Sequence, residues 1–267
     1  MTDYLIVASL GMAGFLVLWP ISLIRRDASI VDFWWGPGFA VMVATMWILS
    51  GASMDPHAQA IVALILVWGL RLGMVLGRRR IREGVEDGRY REMREFRGTS
   101  FWWKSLFMVF VLQGVLQVLL SLGALAAVRQ PDAPVGPLMI LGTMIALAGF
   151  TIEAISDRQL DKFRRDTPHG GLLTTGLRAI VRYPSYLGEV LFWWGIALIA
   201  VEIGVLWAPL NAAAQTWILM RLSGVTILDR RLGETRPGHA EYRDRVPALV
   251  PNLRTRFLRG AAGPHGQ

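Results

Sequence analysis

The stretch VLFWWGIALIAV, residues 190–201, decides the fold. It carries no charge and follows directly on GLRAIVRYPSYLGE, residues 176–189. A basic loop therefore feeds straight into an apolar helix of the kind that crosses a bilayer, which needs roughly 20 such residues. Working outward, the same pattern recurs. Seven segments read as spans, at about 4–24, 30–50, 59–77, 105–128, 135–155, 185–204 and 207–228. Composition agrees: 53% of the 267 residues are hydrophobic and mean hydropathy is +0.41. The fold class is an all-α integral membrane protein, a seven-helix bundle. Residues 1–258 form one domain and 259–267 a disordered tail.

Charge sets the orientation. Loops 1–3, 51–58 and 205–206 carry no Lys or Arg, and 129–134 only Arg129. Arg25, Arg26, loops 78–104 and 156–182 and the tail carry nearly all the rest. By the positive-inside rule the N-terminus is outside and the C-terminus cytoplasmic. The expected setting is a bacterial inner membrane with the working face cytoplasmic. The net charge of +8 thus belongs to topology, and nucleic acid is not an expected partner. Only two of the 28 basic residues are lysines, Lys104 and Lys162. Arginine offers planar, paired donors for phosphate, although codon composition explains the same bias. Cysteine is absent, which excludes disulfides and a thiol nucleophile. The four histidines show no metal-ligand spacing, so no metal is expected.

Polar groups inside or beside the apolar segments are the candidate working residues. Asp32, in SIVDFWWGPGF, is either a functional acid or an interfacial carboxylate favoured by a helix N-terminus. Arg71 lies in WGLRLGMVLG among Gly69, Gly73 and Gly77, whose spacing of four allows close helix packing. It either snorkels to the surface or pairs with Asp32 or Glu189. Glu153 and Asp157 share one helix face. They bind ligand donors or belong to a solvated helix extension. Pro184 suits the first turn of the next helix, whose free N–H groups beside Arg178 and Arg182 make either an anion site or part of an interfacial Arg/Tyr belt. Glu189 lies on the face of Ser185 and suits a neutral amide or a ribose hydroxyl.

In combination, SDRQLDKFR, GGLLTTGLRAIVRYPSYLGEVLFWWG and LDRRLGETRPGHAEYRDRVPALVP resemble the membrane-embedded steroid 5α-reductase superfamily, in its bacterial branch of unknown function. WGLRLGMVLGRRRI followed by EDGRYREMR is similar to that branch as well. The resemblance implies a seven-helix bundle that holds NADPH and reduces a carbon–carbon double bond conjugated to a carbonyl in a lipophilic substrate. It carries the family's first cofactor element onto Glu153, Asp157, Leu160 and Arg164, and the second onto Ser185 and Glu189. Arg71, Arg79, Arg82 and Arg221 fall on its basic positions. Arg178, Arg182, Tyr183, Tyr186, Asp229 and Tyr242 complete the implied cofactor set. The substrate-polarising acid falls on Asp32 and the catalytic Tyr on Trp68, which has no acidic hydroxyl. Glu153 and Ser185 stand where the family keeps amides. Two other readings remain at this stage. One is an S-adenosylmethionine-dependent membrane methyltransferase of the isoprenylcysteine type, and the other a non-catalytic lipid-binding relative. The expected partners are a lipophilic small molecule and membrane lipid, and the expected assembly is a monomer.

Overall fold

The computed structural model describes residues 1–167 and 171–250, and among these the regular structure is helical with no strand. The expected tail, 259–267, lies outside the described residues. Among the described residues, five stretches are long and apolar enough to cross a membrane: Thr2–Arg25, Pro56–Arg82, Gly88–Val128, Pro137–Asp166 and Pro184–Glu202. The chain is a helical membrane protein.

The helices follow in order: α1 (Thr2–Arg25), α2 (Trp35–Leu49), α3 (Pro56–Glu83), α4 (Gly88–Arg97), α5 (Phe101–Ser105) and α6 (Leu112–Val128). Then come α7 (Pro137–Asp166), α8 (Pro184–Glu202), α9 (Ala208–Trp217), α10 (Val225–Thr235) and α11 (His239–Arg245). Two of the seven expected segments are shorter helices. Residues Ala28–Trp34 wind as a 3-10 turn before α2 begins, with the Asp27 carboxylate capping the Ser29 N–H. That leaves α2 only 15 residues. After the 10 residues of α9 the backbone widens into a π-turn, Ile218–Ser223.

The chain forms two compact units. The first comprises Met1–Met144 with Trp194–Ala212; the second comprises Ile145–Trp193 with the described residues from Ala213 onward.

In the first unit α2 and α3 touch backbone to backbone. A methyl built on Gly36 would lie 2.2 Å from the Gly69 carbonyl oxygen, and one on Gly69 2.4 Å from that of Gly36. Only glycine permits this approach. Phe15, Val31, Tyr90, Phe101 and Phe110 form a buried cluster around the 3-10 turn. At other helix ends of the same unit, Asp55 caps α3 by accepting the Ala58 N–H at 3.0 Å. His57, wholly buried, sits with Nδ1 3.3 Å from Asp55 and Nε2 3.3 Å from Glu202. Glu202, the last residue of α8, also accepts the N–H groups of Leu138 (3.1 Å) and Met139 (2.7 Å) in the first turn of α7. One carboxylate thus serves as the anion that a helix N-terminus favours.

In the second unit α7 and α8 meet as closely. A methyl on Gly149 would lie 2.4 Å from the Gly188 oxygen, and one on Gly188 2.5 Å from the Gly149 oxygen. Tyr183, Val225 and Leu249 form its buried cluster, with Leu228 and Leu232 packed against them.

Candidate functional site

Asp32 lies in the 3-10 turn of the first unit and accepts two hydrogen bonds. Arg89 Nη2 donates to Oδ2 at 2.9 Å, and the Tyr90 hydroxyl donates to Oδ1 at 2.8 Å. Both donors stand in the first turn of α4, which Asp87 caps by accepting the Arg89 N–H at 2.8 Å. Glu86 fixes the approach of the two segments, accepting from Ala28 N–H at 2.7 Å and from Arg94 at 2.7 Å. Asp27 pairs with Arg80 at 2.5 Å.

The proton positions around Tyr90 follow from donor chemistry. An indole N–H can only donate. Trp35 Nε1 points at Gln113 Oε1, 2.6 Å away, which turns the Gln113 amide nitrogen toward Tyr90 Oη at 3.1 Å. The Tyr90 oxygen therefore accepts from Gln113, and its own proton runs to Asp32. Arginine also only donates, so Asp32 is the sink of a directed chain from Trp35 through Gln113 and Tyr90, with Arg89 on its other oxygen. Gln117, one turn along α6 and fully buried, donates to the Trp35 carbonyl at 2.7 Å and so steadies the junction between the 3-10 turn and α2.

Tyr90 and Arg89 are residues that sequence reasoning missed. Both stand in EDGRYREMR, a stretch noted only for its resemblance. Their partner lies 57 and 58 positions away, a pairing with no local signature. Trp68, by contrast, is buried to 1% exposure with its ring edge against Phe39 at 5.9 Å. Arg71 and Arg79 are half-buried on α3 and Arg82 is exposed.

The second unit gathers three groups of the remaining candidates. Ser185, in the first turn of α8, lies 2.8 Å from the Ser156 hydroxyl and donates to Asp157 Oδ1 at 3.3 Å. Glu153 is buried on the same α7. Glu189 Oε1 accepts from Gln215 Nε2 at 2.7 Å, and the carbonyl oxygen of Gln215 is buried without a partner. Leu160 is half-buried, and Arg164 and Arg221 are exposed.

The third group is a clasp on the C-terminal segment. Arg182 Nη1 donates to the carbonyls of Arg243 (2.9 Å) and Val246 (2.6 Å), and Nη2 to Asp229 at 2.7 Å. Its main-chain N–H and that of Tyr183 meet the carbonyls of Pro247 and Ala248. The Tyr183 hydroxyl donates to Asp229, and Tyr242 donates to the Arg178 carbonyl at 2.6 Å. Burial, then the bond to Asp229, pushes the Tyr183 phenol above its ordinary value. Tyr186 stacks on Tyr183 at 5.9 Å. Arg178 and Arg182 each keep one buried Nε–H with no protein partner. Most of Arg182's donors thus serve the chain's own tail.

A lysine cannot span three acceptors as a guanidinium fork does. Arg182→Lys should cost about 1–2 kcal/mol and speed proteolysis within residues 239–250. Unchanged protease resistance would show that the clasp does not hold the tail.

No curated protein sequence matches this chain. A family model described as "Protein of unknown function (DUF1295)" matches residues 18–246, a span that takes in the Asp32 relay, the Ser185 and Glu189 groups and most of the clasp, and the chain belongs to that family.

Proposed function

We propose that this protein is an NADPH-dependent reductase of a carbon–carbon double bond conjugated to a carbonyl, acting on a lipophilic steroid-, sterol- or isoprenoid-like substrate. The reading includes seven spans in a bacterial inner membrane, an outside N-terminus and a cytoplasmic working face, on the charge asymmetry of the loops. One observation carries the chemistry: a hydroxyl of acidic type, Tyr90, held at 2.8 Å by the carboxylate of Asp32.

A reduced nicotinamide dinucleotide, when bound, supplies the hydride that adds to the β-carbon. The electron pair of the double bond then shifts toward the carbonyl, and negative charge grows on its oxygen. A donor aimed at that oxygen favours the transition state by about 3 kcal/mol. Tyr90 holds one proton, which at rest runs to Asp32, and it serves the substrate oxygen by turning that proton from Asp32 to it when substrate binds. Gln113 donates into the Tyr90 oxygen and so supports charge left there when its proton is shared. Arg89 offsets part of the Asp32 charge while also pairing with Asp87. Asp32 orients Tyr90 as the resting acceptor of its proton.

The residues of the second unit fit a phosphorylated dinucleotide in their chemistry. Arg164, Arg178 and Arg221 are cations for phosphate. Asp157, Glu153, Glu189 and the unpartnered Gln215 oxygen are acceptors for hydroxyls and a carboxamide. Thermal melting of the detergent-solubilised protein tests the assignment. NADPH at about 100 times its Kd should add roughly 2.7 kcal/mol of stability, and S-adenosylmethionine none. Stabilisation by the methyl donor alone would replace the reductase with a methyltransferase, and stabilisation by neither would favour a lipid-binding protein.

A further inference from the structure

The elbow between α3 and α5 displays exposed greasy and basic groups. Ile81 is 85% exposed, Val85 63%, Phe96 81% and Trp102 58%. The helix that carries Phe96 is held in orientation by its other face. Tyr90 bonds Asp32, Arg94 bonds Glu86, and the Arg94 guanidinium lies 4.6 Å over the Phe101 ring. With those contacts made, α4 cannot turn Phe96 inward. Cations lie over the exposed rings themselves: Arg97 over Phe96 at 5.2 Å and Lys104 over Trp103 at 5.5 Å. Arg78 and Arg91 of the same segment are exposed, as are Glu92 and Glu95 of the opposite sign. The surface stands at the foot of a stretch, Gly88–Val128, that is able to cross a membrane.

Exposed aromatics interleaved with basic groups at that depth match the region of lipid headgroups. Net positive charge selects anionic headgroups over zwitterionic ones. We propose that the α4 elbow is a docking surface for anionic glycerophospholipids. Phe96 and Trp102 enter the interfacial layer, and Arg91, Arg97 and Lys104 meet the lipid phosphates. The site is independent of the reductase reading.

The chain has no cysteine, so Phe96→Cys carries a single fluorescent label. The labelled protein is placed in vesicles containing brominated phosphatidylglycerol or brominated phosphatidylcholine at equal mole fraction. Each basic residue near such a surface favours an anionic lipid by roughly fivefold, so the anionic quencher should act several-fold more strongly. Arg91→Gln/Arg97→Gln/Lys104→Gln should abolish the preference. Equal quenching by the two lipids, no quenching by either, or a preference that survives the triple substitution would overturn the proposal. Unlabelled wild-type protein supplies a second reading. Its melting temperature should be higher in phosphatidylglycerol vesicles than in phosphatidylcholine, and the gap should close in high salt. A gap that is absent or insensitive to salt counts equally against the site.

Discussion

Tyr90→Phe should lower kcat by on the order of 10²–10³-fold while leaving nucleotide-induced stabilisation intact, because it removes one hydroxyl and nothing else that touches the chemistry. Phenylalanine preserves the ring among Phe15, Val31, Phe101 and Phe110, so the core keeps its shape. What is lost is the donor, and with it the partner of Asp32 Oδ1 and of Gln113 Nε2. Those two orphaned groups cost about 1–3 kcal/mol of stability, so turnover is to be normalised to folded protein. Asp32→Asn is the companion. Its amide retains one acceptor but places a donor against Arg89 or Tyr90, so Tyr90 loses its orientation and turnover falls while nucleotide binding stays. A Tyr90→Phe enzyme turning over at the wild-type rate would remove the donor role from this hydroxyl. The nucleotide reading would be untouched, since it is measured separately by melting.

Particular residues show which parts of this structure were legible in one dimension. The five long apolar stretches were, because a membrane helix is specified by composition over its own length. So was the close packing along Gly69, Gly73 and Gly77, since a methyl on each would meet Gly36, Pro37 or the Phe33 ring. The shortness of α2 was not. It depends on a 3-10 turn that Asp27 caps and that Glu86 pins from 58 residues away. In the candidate site, Ser185 and Asp157 were placed together only by the resemblance, and they meet because α7 and α8 pack closely at Gly149 and Gly188. Arg182 was read as a phosphate ligand from its place before a helix. Its bonds to the carbonyls of Arg243 and Val246 leave no trace in residue identity, since every residue offers a carbonyl. The Tyr90 hydroxyl escaped for a related reason. A tyrosine in a charged loop has no periodicity, and its role comes from one long-range contact.

The Asp55–His57–Glu202 cluster, with Asp55 and His57 buried and Glu202 partly exposed, is where a single substitution should cost most in stability. Glu202→Ala should destabilise the protein by about 2–4 kcal/mol, since it strips the acceptor from two helix-start N–H groups at once. The Glu202 carboxylate receives the Leu138 and Met139 N–H groups and faces His57 Nε2. Alanine leaves two helix-start N–H groups and one buried ring nitrogen without an acceptor at once. Glu202→Gln isolates the charge from the geometry. Its oxygen still receives one N–H, but its amide presents a donor where the second N–H of α7 needs an acceptor, so an intermediate loss of about 1–3 kcal/mol is expected. The opposite side of the cluster adds a pH signature. Burial alone would raise the Asp55 pKa, but the Ala58 and Ala133 N–H groups and then His57 outweigh it and hold it below the ordinary value. A depressed folded-state pKa means that its stabilisation is fully present above the unfolded value of about 3.9. It is lost as pH falls through the lower, folded value. The wild-type melting temperature should therefore drop in acid below about pH 4, and Asp55→Asn should flatten that limb. Should Glu202→Ala melt within about 1 °C of the wild type, against the several degrees that such a loss implies, the three helix ends must be held by packing alone.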